Sequence, residues 1–165
     1  LNLGYWFSKD FRVDLENQYQ NIANSSELFA TRNYLLTNWE TKPKATYKLT
    51  NALQAELFGA LRKKTRTDGD ELLKAWELTG TLQWDHKKTA VRGSFSFINN
   101  DFSGNSYSIV GNQMLDGLKT GKNQVWSVFL QQAVNSFINL NINYEGRNSG
   151  DKTIHIGSMQ VKASF

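Results

Sequence analysis

Thr153-Ile154-His155-Ile156-Gly157-Ser158-Met159-Gln160-Val161-Lys162-Ala163-Ser164-Phe165 closes the sequence. Counted back from Phe165, one parity holds Ala163, Val161 and Met159. The other holds Ser164, Lys162, Gln160 and Ser158. Successive side chains of a strand point to opposite faces, so this is a strand with one apolar and one polar side. It runs into an aromatic terminus with no trailing coil, whereas chain ends ordinarily fray. The rest of the sequence decides which side of such a sheet meets water.

Composition narrows the choice. At 165 residues one domain is expected. Only 39% of the residues are hydrophobic, yet 13% are aromatic. No run of about 18 apolar residues is present, so no transmembrane helix is expected. A membrane-spanning β-strand needs only about 10 residues with every second one apolar, so a barrel remains open. The absence of cysteine removes disulfides and thiolate metal sites. The net charge of +4 is mild and the basic residues are scattered, which argues against a nucleic-acid partner. The chain starts Leu1-Asn2-Leu3-Gly4, without Met or a signal peptide. Either processing removed a signal, or these residues are part of a longer chain.

The period-2 pattern recurs along the chain. A first strand is read over Leu1 to Ser8, with Leu1, Leu3, Tyr5 and Phe7 on one face. The second starts at Phe11 and sets Val13 and Leu15 against Arg12, Asp14 and Glu16. The third, from about Ala30 to Leu49, sets Trp39, Pro43, Ala45 and Tyr47 against Glu40, Lys42, Lys44 and Lys48. Pro43 removes a ladder donor and suggests a bulge or an edge. The fourth sets Leu53, Leu57 and Leu61 against Glu56 and Arg62, and Lys63 to Asp70 reads as a charged loop. The fifth alternates Trp76, Leu78, Leu82 and Trp84 with Glu77, Thr79 and Gln83. The sixth places Val91, Phe95 and Phe97 against Arg92. Residues 99–122 read as a long loop, with a short helix over Val110 to Leu118. Trp126, Val128 and Leu130 mark the seventh strand. Ile138, Leu140, Ile142 and Tyr144, against Asn139, Asn141 and Asn143, mark the eighth.

The connections near 9–10, 50–51, 85–87 and 134–136 are short; those near 23–29, 63–71, 99–122 and 147–152 are longer. Alternation of short turns with long loops, on strands of about 10–14 residues, is the pattern of a transmembrane barrel. Aromatic residues mark both ends of the apolar faces, with Trp84, Tyr47, Phe7, Phe11 and Phe165 at one level. Trp76, Trp39, Trp126, Tyr144 and Tyr19 lie at the other. Trp76 and Trp84 would stand roughly 20 Å apart along the membrane normal, close to the apolar band of about 25 Å. Two belts of amphipathic rings suit two membrane interfaces. The fold expected is therefore all-β: an antiparallel up-and-down transmembrane β-barrel. A soluble lipocalin-like β-barrel shares the alternation and is the alternative. Nine strands cannot close with both termini on one side, and open edges in lipid leave backbone groups unsatisfied. Residues 1–165 are thus expected to form the C-terminal segment of a larger barrel. A miscounted strand at Pro43, or closure with another chain, would also satisfy the count.

The terminal strand resembles the closing strand of bacterial outer-membrane β-barrels. That likeness implies that Met159, Val161, Ala163 and Phe165 form the signal read by the barrel-insertion machinery. Gln113-Met114-Leu115-Asp116-Gly117-Leu118-Lys119-Thr120-Gly121-Lys122-Asn123, with Val125-Trp126, resembles a segment of large outer-membrane proteins of the Bacteroidota. So do Leu140-Asn141-Ile142-Asn143-Tyr144-Glu145-Gly146-Arg147 and the final strand. The earlier strands, including Thr31-Arg32-Asn33-Tyr34, match in style alone. The resemblance implies a Gram-negative outer-membrane location among outer-membrane lipids and assembly by the insertion machinery; it implies no particular activity, and other envelope proteins are partners only under a docking role.

Chemistry is sparse. His86 reads as a solvated turn residue and His155 as an interface residue, with Ser158 on the opposite face. No nucleophile motif or zinc spacing occurs, so no enzyme, metal or cofactor is expected. Asp68-Gly69-Asp70-Glu71 could gather a cation but reads as a solubilising loop. If lipid covers the apolar face, the lumen is lined by Arg12, Lys42, Lys44, Arg62, Arg92 and Lys162 against Asp14, Glu16, Glu56 and Glu77. Mixed signs suggest internal ion-pair networks rather than a steering ring. The long loop carries Tyr107, Ile109, Val110, Met114 and Leu115, apolar enough to fold into the lumen or to dock on a partner. The function expected is structural anchoring or docking in an envelope complex, with a solute channel or transporter as the alternative.

Overall fold

The computed structural model describes residues 1–25, 27 and 33–163. In chain order they form β1 (Asn2–Trp6), β2 (Phe11–Asn24), β3 (Tyr34–Lys48), β4 (Leu53–Arg66), β5 (Leu72–His86) and β6 (Thr89–Ser103). A short helix, α1 (Ile109–Met114), precedes β7 (Gly121–Ala133), β8 (Ile138–Ser149) and β9 (Lys152–Ala163). The nine strands make one antiparallel sheet in sequence order, with β1 and β9 as its two open edges. Phe165, the end of the expected insertion signal, lies outside the described residues, as do Ala30, Thr31 and Arg32.

Register assigns the faces, because paired residues share one. On the apolar face Tyr19 faces Trp39 and Phe11 faces Tyr47. Leu61 faces Trp76 and Leu53 faces Trp84. Phe95 faces Trp126, and Val128 faces Tyr144. On the polar face Asp14 faces Lys44, Glu16 faces Lys42, Glu40 faces Arg62, and Asn139 faces Lys162. Three of the short turns use the same local device, a side chain that mimics a backbone acceptor. Ser8 Oγ accepts from the N–H of Asp10 and Phe11, Thr50 Oγ1 from Ala52 and Leu53, and Asn135 Oδ1 from Phe137 and Ile138. The fourth places Lys87 in the left-handed region at φ 53°.

Several sequence expectations need correction. The first strand is Asn2–Trp6, shorter than Leu1 to Ser8. Lys63 and Lys64 are not in a loop, because β4 runs on to Arg66. β6 continues to Ser103, so the long connection is 104–120, and its helix is Ile109–Met114. The alternation of short and long connections also fails once. β8 and β9 meet through residues 150–151 alone. Gly150 at φ +65° takes the left-handed corner there, and Asn148 donates a side-chain hydrogen bond to Thr153 Oγ1 across the hairpin. Pro43 makes neither a bulge nor an edge. β3 pairs on both sides, and its register against β4 is the same before and after Lys42–Pro43, where pairing is skipped. Gly59 lies opposite; a Cβ there would sit 3.2 Å from the Pro43 ring.

The sheet encloses no core of its own. The cluster of buried apolar residues lies on the polar face, at the end where the longer connections emerge. There Leu36, Leu73 and Ala75 meet Val110, Met114 and Leu115 of the 104–120 connection, with Ile22, Tyr34 and Phe102 at the edge.

Candidate functional site

The connection between β6 and β7 is folded onto the sheet by its own sequence. Ser108 caps α1: its hydroxyl accepts from Gly111 N–H at 2.9 Å and donates to Asn105 O at 2.8 Å. Gly111 lets the helix rest on the preceding backbone, since a Cβ there would lie 2.2 Å from Asn105 O. Past the helix, Asp116 (φ 53°) and Gly117 (φ 73°) turn the chain back toward β7. The 110, 114 and 115 spacing puts three apolar side chains on one side of the turn of helix. Met114 is 0% exposed, Leu115 2% and Val110 3%. Tyr107 and Ile109 do not join them: Tyr107 is 96% exposed.

Polar anchors fix both flanks. Lys64, buried on the polar face of β4, donates to Met114 O at 3.0 Å and to both Asp116 carboxylate oxygens at 2.7 and 2.8 Å. Lys119 N–H donates to Ser149 Oγ at 2.9 Å, and Lys119 O accepts from Asn123 Nδ2 at 2.9 Å and Asn100 Nδ2 at 3.2 Å. The Ser149 hydroxyl donates in turn to Asn123 Oδ1. Lys64, Asn123 and Ser149 were missed by sequence reasoning. A usable signal existed: Leu36 and Leu73 are apolar residues at polar-face positions, and such positions need a cover.

Below this seal the polar face is charged. Arg62 bridges two strands, with Nε 2.5 Å from Glu40 and Nη2 2.5 Å from Glu77. Lys42 lies 2.7 Å from Glu40. Toward the short-turn end Arg12 pairs with Asp14 at 2.6 Å and lies 5.3 Å from the Trp6 ring. Lys44 and Arg92 each approach Glu56 at 3.6 Å. Glu16 and Lys162 make no ion pair among the described residues. A depression of about 470 Å³ opens between Trp6, Arg12, Lys44 and Glu56. A second, of about 310 Å³, lies under α1 between Asn38, Arg62, Lys64 and Gln113.

The apolar face carries the aromatic residues expected to form the two belts. Trp39, Tyr47, Trp76, Trp84 and Tyr144 are all exposed. Trp126 lies flat over Gly146, where a Cβ would fall 2.2 Å from the indole, and it stacks on Phe95 with centroids 6.3 Å apart. Of the two histidines, His155 shares a 2.8 Å hydrogen bond with the Tyr144 hydroxyl, and His86 stacks on Trp84. Met159 and Val161 of β9 are exposed on this face too. On the opposite face β9 carries Ile154 and Ile156, paired with Arg147 and Glu145. The acidic run of the 67–71 turn is engaged by Arg66, which contacts Asp68 at 3.0 Å and Glu71 at 3.1 Å. Asp68 also accepts from Leu35 N–H, and these donors, Arg66 first, lower its pKa to about 2.

An open antiparallel meander with one charged face, one apolar face and a segment folded onto the charged one is the architecture of half a barrel wall. No family model matches the chain, and no curated protein sequence does. Solved structures do. OmpT, an outer membrane protein of Vibrio cholerae, matches in its loop-L8 deletion mutant with a TM-score of 0.66 at 9% identity. That match covers 98% of this chain and 51% of the other. OmpT folded in vitro, in its trimer form, gives 0.66 at 9% identity, covering 98% and 54%. OmpT expressed in the outer membrane gives 0.61 at 7% identity. The chain spans about half the length of these proteins, and the likeness is one of fold.

Proposed function

We propose that residues 1–165 form part of the wall of an outer-membrane β-barrel whose water-filled lumen is narrowed by the 104–120 segment. The observation that carries this reading is the contrast of faces: charged residues and the folded-in segment on one side, exposed aromatic and aliphatic residues on the other. In a soluble sheet the exposed apolar face would be a liability; against lipid it is a requirement. Strands outside this chain complete the wall. The two open edges call for them, because unpaired backbone groups are not tolerated in hydrocarbon. A barrel in which nine strands make up about half would have roughly 16–18, wide enough for an aqueous channel. One short helix at the wall narrows such a lumen without filling it. Met159, Val161 and Ala163, on the lipid side of β9, are the residues offered to the barrel-insertion machinery.

The test is conductance of the intact protein in planar bilayers. We expect discrete ion-conducting steps, with a larger step after deletion of residues 106–118. Silence from both forms would overturn the channel reading. A second reading, an anchor that docks an envelope partner, is favoured by Tyr107, almost wholly exposed at the outer rim beside Ile109. It predicts silence in bilayers and loss of a co-purifying envelope protein on Tyr107→Ser.

A further inference from the structure

The apolar face is almost free of charge. Among the described strand residues, the only formal charges that the register puts on it are Lys63, Lys74, Asp101 and Lys122. All lie at one end, toward the 67–71 and 104–120 connections. Lys63 and Lys74 are direct cross-strand partners on β4 and β5. Such partners hold their Cβ atoms about 5 Å apart, where like charges repel. Both lysines are exposed. Neither makes an ion pair or hydrogen bond among the described residues, and Asp101, which faces Lys74 in register, forms no ion pair with it. Two indoles frame the pair: Trp39 faces Lys63, and Trp76 lies two residues from Lys74 on the same face.

We propose that Lys63 and Lys74 together hold the phosphate of a membrane lipid headgroup in the leaflet at the long-loop rim. This rests on the membrane-barrel reading and names the lipid chemistry of one rim. Indole rings settle at the boundary between headgroups and hydrocarbon. At about 3.3 Å per residue along a tilted strand, the two lysines stand one pleat step beyond Trp76 and level in register with Trp39, which sets their ammonium groups at headgroup depth. Two ammonium groups that repel each other are both relieved by one multiply charged anion between them, and a phosphate offers several acceptor oxygens to their donors. Among the described residues the opposite end of the apolar face has no strand cation, so the site belongs to one leaflet.

The experiment uses the intact protein, folded in an uncharged detergent and titrated with diphosphoryl lipid A, with retained lipid read by native mass spectrometry. Lys63→Gln with Lys74→Gln should weaken retention about thirty-fold, from roughly one unit of surface electrostatic attraction per lysine. Lys87→Gln with Lys88→Gln removes the same charge at the far rim and should leave retention unchanged. Fully dephosphorylated lipid A should be retained equally weakly by wild type and variant. Equal retention by wild type and the Lys63/Lys74 variant would overturn the proposal. So would an equal loss in the Lys87/Lys88 variant, or displacement of the lipid by millimolar inorganic phosphate, which would mark a site for free anions. Failure of the wild type to fold into detergent would count against the barrel reading; a folded barrel indifferent to Lys63 and Lys74 would count against this site alone.

Discussion

The two ends of the polar face belong to the same strands and follow the same period, yet they are built differently. At the long-loop end the inward positions are Ile22, Leu36, Leu73 and Phe102, covered by Met114 and Leu115. At the short-turn end they are Arg12, Asp14, Glu16, Lys44 and Glu56, which line an open depression that none of the described residues covers. Alternation says which face a residue is on. The identity of the inward residues says what lies over them: protein where they are apolar, water where they are charged. The boundary falls at Glu40, Arg62 and Glu77, whose ion pairs lie beside the cavity under α1.

The sharpest way to break this contrast is to make the covered end prefer water. Met114→Asp places a carboxylate in a fully buried site, and opening of the segment should become easier by at least about 3 kcal/mol. Hydrogen exchange at Leu115 N–H, bonded to Gly111 O in the native segment, would report it. Strand amides should keep their protection. Gly111→Ala drives a methyl into Asn105 O and should cost about 1–3 kcal/mol of the same closure. Asp116→Asn leaves the buried Lys64 ammonium without its carboxylate; with Asp116 half exposed, the loss should be about 1–2 kcal/mol, seen as faster proteolysis within 104–120. At the open end, Lys44→Gln should change stability by less than about 0.5 kcal/mol and, on the channel reading proposed above, should alter the cation-to-anion preference of the current. A stability loss there as large as that of Asp116→Asn would erase the distinction between the ends.

The smallest effect belongs to the 67–71 turn. Asp68 has its folded pKa lowered to about 2, below that of an unfolded aspartate. Its stabilisation of the 67–71 turn is therefore present above the unfolded value and lost as pH falls through about 2. Carboxyl titration by NMR should show no step for Asp68 near pH 4, and a midpoint near 4 would contradict the Arg66 contact.

Much of the architecture was legible in the alternation, because period 2 is the pleat itself and Trp76, Trp84 and the Asn139–Asn143 series state it plainly. The ends of strands were less legible. Lys63 to Arg66 and Asn99 to Ser103 read as loop because, Phe102 apart, their side chains are polar, yet the strands run on through them to Arg66 and Ser103. The break at Pro43 was misread because proline forbids a donor, not a register. Of the folded-in segment, Val110, Met114 and Leu115 announce themselves as apolar residues in a loop. Lys64, Asn123 and Ser149 do not, since their role depends on pairing across strands distant in sequence.

The central claim is that the apolar face meets lipid and the polar face meets water. The chain lacks cysteine, so single spin-labelled cysteines can be placed one by one along β8, from Ile138 to Tyr144, in the membrane-inserted protein. The prediction is an accessibility of period two: oxygen reaches labels at 138, 140 and 142, and a water-soluble nickel complex reaches those at 139, 141 and 143. A flat profile, or the same alternation with the two reagents exchanged, would contradict it.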